Sequence, residues 1–338
     1  MAYITLNRNN FFNNLDIIAK HTKSVDKIAL VLKDNAYGHG LGEIAAMAQE
    51  YGISKVVVRT DSEAQLLKDM FEYILVLADI PQKASTKIRY TINDIKNISS
   101  FPKNTLVELK VDTGMHRNGI GMHELYDALA AIQKAGLHLE AVFTHHRSAD
   151  ELSSEWFWQN ENFNGVKEEV KKYAKEFGFS KLRFHSANSA SLLRTQNFDE
   201  DMARVGIAAY GCIELPKALK VDGLKPVLSL YANKISSRTL HKGECVGYGA
   251  VFEADQKVQV SNYDFGYADG FLRVCSNNYT TPTAKELVGR ISMDNSSFIC
   301  EDEDLLIFDN ASEVAKSAGT ISYEVLTALK PHLQRVVV

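Results

Sequence analysis

The sequence has little of what marks several specialised classes of protein. Only four cysteines occur, Cys212, Cys245, Cys275 and Cys300, and none of them forms a Cys-x-x-Cys pair. We therefore predict reduced core or packing thiols. A net charge of −4, without a basic cluster, argues against a nucleic-acid surface. The segment Met1–Asn10 lacks a signal-peptide pattern and no apolar run is long enough to span a membrane, so we expect a cytoplasmic protein.

What the chain does contain is an alternation of strand-like and helix-like segments up to about Gly223. Eight candidate strands are Ile28–Leu32, Val56–Arg59, Tyr73–Ala78, Arg89–Ile92, Leu106–Val111, Leu139–His145, Leu182–Ser186 and Ala203–Tyr210. Most are followed by a helical segment, and an earlier helix, Phe11–His21, is expected to be capped by Asn9 or Asn10. Eight βα units predict an α/β fold, a (β/α)8 TIM-like barrel whose chemistry lies where the strands end.

The pattern changes after about Gly223. Short alternating strands are predicted at Pro226–Leu240, Glu244–Glu253, Lys257–Ser261, Lys285–Ser297 and Asp304–Phe308. Only one further helix, Tyr323–Leu329, is expected. We therefore predict a barrel over residues 8–223 and a smaller all-β domain over residues 224–338, which the N-terminal strand within residues 1–7 joins.

The first barrel strand ends in a lysine. The continuous aliphatic run before Lys33 suits a strand buried on both faces. Burial of the lysine stem favours the free amine that a Schiff base to a carbonyl cofactor requires. The alternative without a catalytic role is a lysine that extends its amine from a strand end into water. Because strand residues alternate sides, we expect Asp34 to point away from Lys33.

Polar residues also follow the later strands. The segments are Lys110-Val-Asp-Thr-Gly-Met-His116-Arg117, His145-His146, His185-Ser-Ala-Asn-Ser189 and Arg204-Val-Gly206-Ile207. Barrels commonly bind phosphate after strands seven and eight, here through the Ser189 hydroxyl and the N–H groups of Gly206 and Ile207. Taken singly, either arginine could be a structural ion pair, and His145 a packed strand-end histidine. No carboxylate or cysteine accompanies the two histidines at ligand spacing, so we predict no metal site.

Tyrosines mark the second half of the chain. They lie in Val246-Gly-Tyr248-Gly-Ala250, Gly266-Tyr267-Ala-Asp-Gly270 and Thr320-Ile-Ser-Tyr323-Glu324, and Gly289-Arg-Ile-Ser-Met293-Asp294 is a further short motif. Isolated tyrosines are most often core or interface residues.

Together these segments resemble the alanine racemase family. Lys33-Asp-Asn-Ala-Tyr37-Gly-His-Gly40 is similar to the family's pyridoxal-phosphate (PLP) signature Lys-Ala-Asn-Ala-Tyr-Gly-His-Gly, and the other segments follow in the family's order. Asp34 replaces an alanine and His116 a glycine of the family pattern. The resemblance implies a PLP-dependent isomerase that interconverts L- and D-alanine and supplies D-alanine for peptidoglycan in cell wall biogenesis.

The resemblance also implies roles for individual residues. Lys33 would carry PLP, His145 would stack on its ring, Arg204 would donate to the ring nitrogen with His185 behind it, and Tyr37, Ser189, Gly206, Ile207 and Tyr323 would hold the phosphate. Arg117, supported by Lys110, and the Met293 backbone would meet the substrate carboxylate. Tyr267 would line the entrance, and Asp294 would be a supporting residue.

Racemisation removes a proton from one face of the α-carbon and returns it on the other, which two bases on opposite faces do most simply. By resemblance these are Lys33 and Tyr248, and a tyrosine needs a lowered pKa to act as a base. The family's second-domain tyrosines reach a neighbouring barrel, which implies a head-to-tail homodimer with shared active sites.

Three alternatives remain open. One is a PLP racemase of broader or serine specificity. Another is a fold-related PLP decarboxylase, which the Tyr248 and Tyr267 motifs and the chain length disfavour. The last is a non-catalytic PLP-binding protein, which would need only Lys33 and the phosphate site.

Overall fold

Eight parallel strands form a nearly closed barrel in the computed structural model, which describes residues 1–338. They are Ile28–Val31, Lys55–Val58, Tyr73–Val76, Ile88–Ile92, Leu106–Asp112, His138–Phe143, Arg183–His185 and Ala203–Val205. The first seven strands pair in sequence order, and the eighth pairs with the first through Arg204 and Ala29, so the barrel is open only between the seventh and eighth strands. All eight predicted strands are confirmed, and their aliphatic side chains are buried as continuous apolar runs require.

One helix precedes the barrel strands, and the others connect them or follow the last of them. They are Arg8–Thr22, Leu41–Tyr51, Asp61–Leu67, Leu125–Ala135, Glu155–Ala174, Ser189–Arg194, Ala311–Ala318 and Ser322–Ala328. The prediction that Asn9 or Asn10 caps the first helix is wrong. The cap is Asn7, whose side chain accepts a hydrogen bond from the Asn10 N–H at 2.9 Å, because the helix begins earlier than its apolar pattern. No helix is long and apolar enough to cross a membrane.

A second, mostly stranded unit packs beside the barrel. Its main sheet contains Tyr3–Leu6, Leu228–Leu240, Val258–Tyr263, Leu287–Val288, Ser296–Phe298, Asp304–Phe308 and Gln334–Val337, and Cys245–Val246 pairs with Phe252–Glu253 in a small hairpin. The N-terminal strand Tyr3–Leu6 lies in this sheet between Leu228–Leu240 and Gln334–Val337. The prediction of a single helix here is wrong, because Ala311–Ala318 forms a second one capped by Asn310.

The turn after Lys33 is the least ordinary backbone in the molecule. Asp34, Asn35, Ala36 and Tyr37 all have φ between 51° and 56°, which makes one left-handed helical turn. The prediction that Asp34 points away from Lys33 is wrong, because the strand ends before Lys33 and alternation no longer applies. The Asp34 carboxylate lies 3.7 Å from the Lys33 ammonium.

A left-handed turn costs roughly 1–2 kcal/mol for each non-glycine residue, so neighbouring groups must hold it. The Asp34 N–H donates to Glu63 at 2.7 Å and the Asn35 side chain accepts from the Leu41 N–H at 2.8 Å. Arg335, from the last strand of the chain, donates to the Gly38 carbonyl at 2.8 Å. A side chain at Gly38 would overlap the Leu326 carbonyl. The C-terminal segment therefore supports the turn that carries Lys33.

We expect Arg335→Ala to lower the free energy of unfolding by about 2–3 kcal/mol, because charge-assisted hydrogen bonds to part-buried carbonyls are lost. Urea unfolding of the purified protein measures the change. Arg8→Ala is the matched control. Its partner Glu50 is half exposed and 3.5 Å away, so its effect should stay within about 0.5 kcal/mol. Equal losses in the two variants would contradict this role of Arg335.

Candidate active site

A cavity of about 780 Å³ opens at the C-terminal ends of the barrel strands. Its wall includes many of the predicted site residues, namely Lys33, Tyr37, Lys110, Arg117, His145, Ser189, Arg204, Gly206, Ile207 and Tyr323. The structure thus brings together side chains from positions 33 to 323. His185 lies directly behind the wall, fully buried. Four predicted residues lie outside the wall: Tyr248, Tyr267, Met293 and Asp294.

Lys33 stands at the rim of this cavity. Its side chain is 36% exposed, so the lysine is less enclosed than a buried strand end predicts. Its ammonium lies between the Asp34 carboxylate and the face of Tyr37, whose ring centre is 6.0 Å away. Asp34 is also 3.4 Å from Arg59, which holds the carboxylate beside the lysine. The amine is therefore close to water and to the cavity at once.

Three cationic side chains line one side of the cavity: Lys110, Arg117 and Arg204. Burial, reinforced by Arg204 and Arg117, lowers the pKa of Lys110 to about 8. Burial also lowers the pKa of Arg204 to about 10, a value at which the guanidinium is still charged near neutrality. Such a cluster suits an anionic ligand, because carboxylate, phosphate or phenolate oxygens would relieve the mutual repulsion.

The loop that presents Arg117 is organised by Asp112. One of its oxygens accepts hydrogen bonds from the N–H groups of Gly114, Met115 and His116 at 2.8, 2.9 and 3.1 Å. His116 has a φ of 55°, the region that a glycine reaches most easily and that histidine tolerates better than most residues. The histidine therefore keeps a glycine-like backbone, and Arg117 stays on the cavity wall.

Arg204 is fixed against the floor of the site. Its Nη2 donates to the carbonyls of Thr144 at 2.7 Å and Ser186 at 3.2 Å, and its Nη1 donates to His185 Nδ1 at 2.5 Å. His145 lies beside it, with Nδ1 3.4 Å from Nη2. Burial and the neighbouring cations Arg204, Lys110 and Arg117 lower the pKa of His145 well below its usual value, so its imidazole is neutral.

Small and hydroxyl groups form the opposite end of the cavity. Ser189 begins the helix Ser189–Arg194, and its hydroxyl accepts from the N–H groups of Gly206 at 3.1 Å and Ala208 at 3.4 Å. A Cβ at Gly206 would stand 2.6 Å from the Tyr37 hydroxyl, so only glycine keeps this space open. The rings of Tyr37 and Tyr323 lie 5.8 Å apart. Backbone amides, a helix start and hydroxyls are typical of a phosphate cradle.

The residues outside the cavity share an exposed position on the second unit. Tyr248 is 67% exposed, Met293 55% and Tyr267 40%. The only tyrosines in the cavity wall are Tyr37 and Tyr323. The isolated chain therefore brings Lys33 and Tyr248 to different surfaces.

Comparison with known proteins decides the family. The model of the alanine racemase N-terminal domain matches residues 6–214, and that of the alanine racemase C-terminal domain matches residues 227–337. The chain belongs to the alanine racemase family. It is 46% identical over 335 residues to the alanine racemase of Nitratiruptor sp., with 99% of both chains covered, and 41% identical over 339 residues to that of Campylobacter curvus, again with 99% of both covered.

Solved alanine racemases have the same fold. The enzyme from Clostridium difficile superposes with a TM-score of 0.88 at 26% identity, and the one from Bacillus anthracis, described with bound L-Ala-P, with 0.87 at 26%. All of this chain and 95% of each of those chains are covered. The predicted family, fold class and reaction, alanine racemisation by an isomerase, are confirmed. The full-length match also argues against the decarboxylase alternative.

Sequence reasoning missed two residues of this alanine racemase family member that support the site. Glu108 accepts a hydrogen bond from His185 Nε2 at 2.9 Å, and Arg335 holds the turn after Lys33. Glu108 carried a signal, because a carboxylate inside the apolar strand Leu106–Asp112 needs a partner. Arg335 carried none, since its contact spans almost the whole chain. The predicted buried thiols are also corrected at Cys245, which is exposed.

Buried neutral histidines should make this racemase-family fold sensitive to acid. Burial lowers the pKa of His39 and of His146 to about 4. The unfolded chain takes up these protons near pH 6.5, whereas the folded chain does so only near pH 4, so stability is complete above pH 6.5 and falls as the pH drops through that window. Each histidine should lower the free energy of unfolding at pH 5 by about 2 kcal/mol relative to pH 7.

Urea unfolding of the chain at pH 7 and pH 5 measures the loss. His146→Leu should reduce this loss of unfolding free energy by about 2 kcal/mol, the contribution of one histidine. Replacement of the exposed His138 by glutamine should leave the loss unchanged. A pH dependence that is the same in all three proteins would contradict neutral burial of His146.

Proposed function

We propose that the chain racemises alanine with PLP bound in the barrel cavity and with active sites shared between two copies. The observation that carries the cofactor assignment is the convergence of Lys33, the cationic side and the phosphate cradle on one cavity. Each of these features suits a different part of PLP: an amine for its aldehyde, cations near its phenolate and hydroxyls for its phosphate.

The cavity supports this assignment in its details. The glycine at position 206 keeps the cradle open next to the Tyr37 hydroxyl, and that hydroxyl makes no hydrogen bond to the protein. Arg204 has its Nη groups occupied by protein acceptors, while its Nε–H stays free to donate. When bound, PLP supplies a covalent link to the substrate amino group and a ring that spreads the charge left on the α-carbon.

Protein residues would carry out the proton transfers and position the substrate. Lys33 holds or removes the α-proton on the cofactor face, and Tyr248 of a second copy does the same on the other face. Arg117 binds the substrate carboxylate through two parallel N–H donors, with Lys110 behind it. His145, which is neutral, would pack against the cofactor ring, and the charged Arg204 would disfavour protonation of the ring nitrogen.

A head-to-tail homodimer completes the proposal. It brings the exposed group of Tyr248, Tyr267, Met293 and Asp294 to the rim of a neighbouring cavity. In this arrangement residues 8–223 form the cofactor-binding unit, and residues 224–338 with strand 1–7 form the covering unit. The four unpaired cysteines suit a reducing cytoplasm, where the D-alanine product would enter peptidoglycan synthesis.

The direct test is an assay of purified protein on L-alanine and on L-serine, after any bound PLP has been removed and then with and without PLP added back. We expect D-alanine to appear with PLP, and little D-serine. PLP-independent activity would reject the cofactor, and faster turnover of serine than of alanine would favour the broader-specificity racemase. PLP binding without any racemisation would favour a non-catalytic binding protein.

We expect Arg117→Ala to reduce kcat/KM for alanine by about tenfold to a hundredfold or more, through the loss of a charge-assisted contact with the carboxylate. PLP should remain bound, because the phosphate cradle lies elsewhere. His116→Gly is the matched control in the same loop and should retain activity, since a glycine adopts its φ of 55° without strain. Equal kinetics for Arg117→Ala and the parent protein would remove Arg117 from the site.

A further inference from the structure

A ladder of polar side chains crosses the barrel beneath the cavity. Six strands contribute to it: Tyr73, Arg89, Glu108, Glu140, the pair Arg183 and His185, and Arg204. The order along the ladder is Arg204, His185, Glu108, Arg183, Glu140 and Arg89. From His185 to Arg89, each side chain contacts the next at 2.9–3.1 Å. Its far end, at Arg89 and Glu140, is partly exposed, whereas its near end is closed to water.

Glu108 is the carboxylate of the ladder that reaches its closed end. Its side chain is fully buried, and it accepts hydrogen bonds from His185 Nε2 at 2.9 Å, from Arg183 Nη2 at 3.1 Å and from the Tyr73 hydroxyl. Burial alone would raise the pKa of Glu108, but the contacts with His185, Arg183 and Tyr73 outweigh it and lower that pKa. The carboxylate is therefore ionised and fully engaged.

These contacts determine where His185 carries its proton. Arg204 Nη1 can only donate, so His185 Nδ1, 2.5 Å away, must accept. The proton must then sit on Nε2, where it points at the Glu108 carboxylate. Burial and the nearby Arg204 lower the pKa of His185, in keeping with a neutral ring that has one donor and one acceptor.

We infer that Glu108 is a positioning residue for the racemase reaction, which fixes the tautomer of His185 and through it keeps Arg204 aimed at the cofactor ring nitrogen as a charged donor. The role rests on the proposed function of Arg204. A carboxylate that orients a histidine, which in turn orients a reacting group, is an arrangement that also operates in metal sites and hydrolytic triads.

The alternative is that Glu108 only neutralises Arg183. In that case the half of the ladder formed by Arg183, Glu140 and Arg89 would be the structural core, and His185 would be indifferent to the charge. The two possibilities predict different behaviour of His185 when the charge is removed. Glu108 Oε2 accepts from His185, whereas Oε1 accepts from Arg183 and Tyr73. A glutamine at position 108 replaces one of these two oxygens by an NH2 donor, so it cannot accept hydrogen bonds at both positions.

The experiment uses histidine ring-nitrogen NMR on the apoprotein, with the His185 signals assigned by a His185→Asn variant. The parent protein should show His185 as the neutral Nε2–H tautomer. Glu108→Gln should shift it towards the Nδ1–H form or a mixture. Glu140→Gln is the matched control, because it removes the same charge from the ladder without touching His185, and it should leave the signals unchanged.

The same variants, loaded with PLP, are then compared for the ratio of pyridoxamine formation to racemisation. We expect Glu108→Gln to raise this ratio about tenfold, the effect of one pKa unit at the ring nitrogen, and Glu140→Gln to leave it unchanged. A changed tautomer with an unchanged ratio, or the reverse, overturns the inference, as does a response to Glu140→Gln equal to that of Glu108→Gln.

The parent protein alone also tests the inference if Glu108→Gln does not fold. A His185 in the Nδ1–H or doubly protonated form overturns it, whatever the variants do. Failure of the proposed function is distinguishable, since it would appear as a parent protein that does not racemise alanine with PLP. The NMR result on the apoprotein does not depend on that assay.

Discussion

Lys33→Ala should reduce alanine racemisation by at least about 10²–10⁴-fold, the contribution typical of one acid–base group, and by more because the same amine is the proposed attachment point of PLP. Borohydride reduction of the PLP-loaded parent protein, followed by peptide mapping, should place the pyridoxyl label on Lys33. The physical reason is geometry: Lys33 stands at the rim of the cavity that also contains the phosphate cradle.

Lys55→Ala is the matched control. Lys55 begins the second barrel strand, at the opposite end from the cavity, where its amine meets the Asp26 carbonyl. It should remain active and should carry no label. Lys110 is the most serious rival, since it lines the same cavity and its pKa is lowered to about 8. A pyridoxyl label on Lys110 would overturn the assignment of Lys33.

The barrel could be predicted from the sequence because its signals are local. The first three barrel strands, Ile28–Val31, Lys55–Val58 and Tyr73–Val76, are mostly aliphatic or apolar, and most of the chemistry-bearing residues lie at or just beyond the strand ends. The cavity residues were therefore predictable as a group from order alone. The second unit was predicted less well, because short strands such as Leu287–Val288 and Ser296–Phe298 are separated by irregular turns that alternation does not resolve.

The turn after Lys33 could not be predicted from local propensity. Asp34 and Asn35 tolerate the left-handed region as single residues, but a run of four L-residues in that region is disfavoured. The conformation depends on partners far along the chain, chiefly the Arg335 guanidinium and the close packing of Leu326 against Gly38. Its consequence is chemical, since it places the Asp34 carboxylate beside the lysine rather than on the opposite face.

The contacts of the polar ladder also could not be predicted from local sequence. A carboxylate at position 108 inside an apolar strand indicates that a partner exists, but not which one. Its three donors come from the third and seventh strands, and only barrel closure brings them together. Sequence order predicts which residues face the cavity, whereas the hydrogen bonds behind the wall depend on the register between strands.

Mixing the inactive Lys33→Ala and Tyr248→Phe proteins should restore racemisation. In a head-to-tail dimer each site takes Lys33 from one copy and Tyr248 from the other. A hybrid dimer then has one site that lacks both groups and one site that retains both. Random reassortment makes half of the dimers hybrids, so activity should return to about a quarter of that of the parent protein.

The structural reason is the separation of the two groups within one chain. Lys33 lies in the barrel cavity, whereas Tyr248 is 67% exposed on the second unit and takes no part in the cavity wall. Water surrounds most of that phenol in the isolated chain, so a neighbouring copy must supply the charged and polar surroundings that a catalytic tyrosine needs.

The control is a mixture of Lys33→Ala with a second variant on the same side of the site, Arg117→Ala. Both lesions then lie in barrels, so every cavity in a hybrid retains one of them and activity should not rise above that of the separate proteins. Differently tagged subunits show whether hybrids have formed. If hybrids of Lys33→Ala and Tyr248→Phe form and activity does not return, Lys33 and Tyr248 do not come from different copies, and the shared site is excluded.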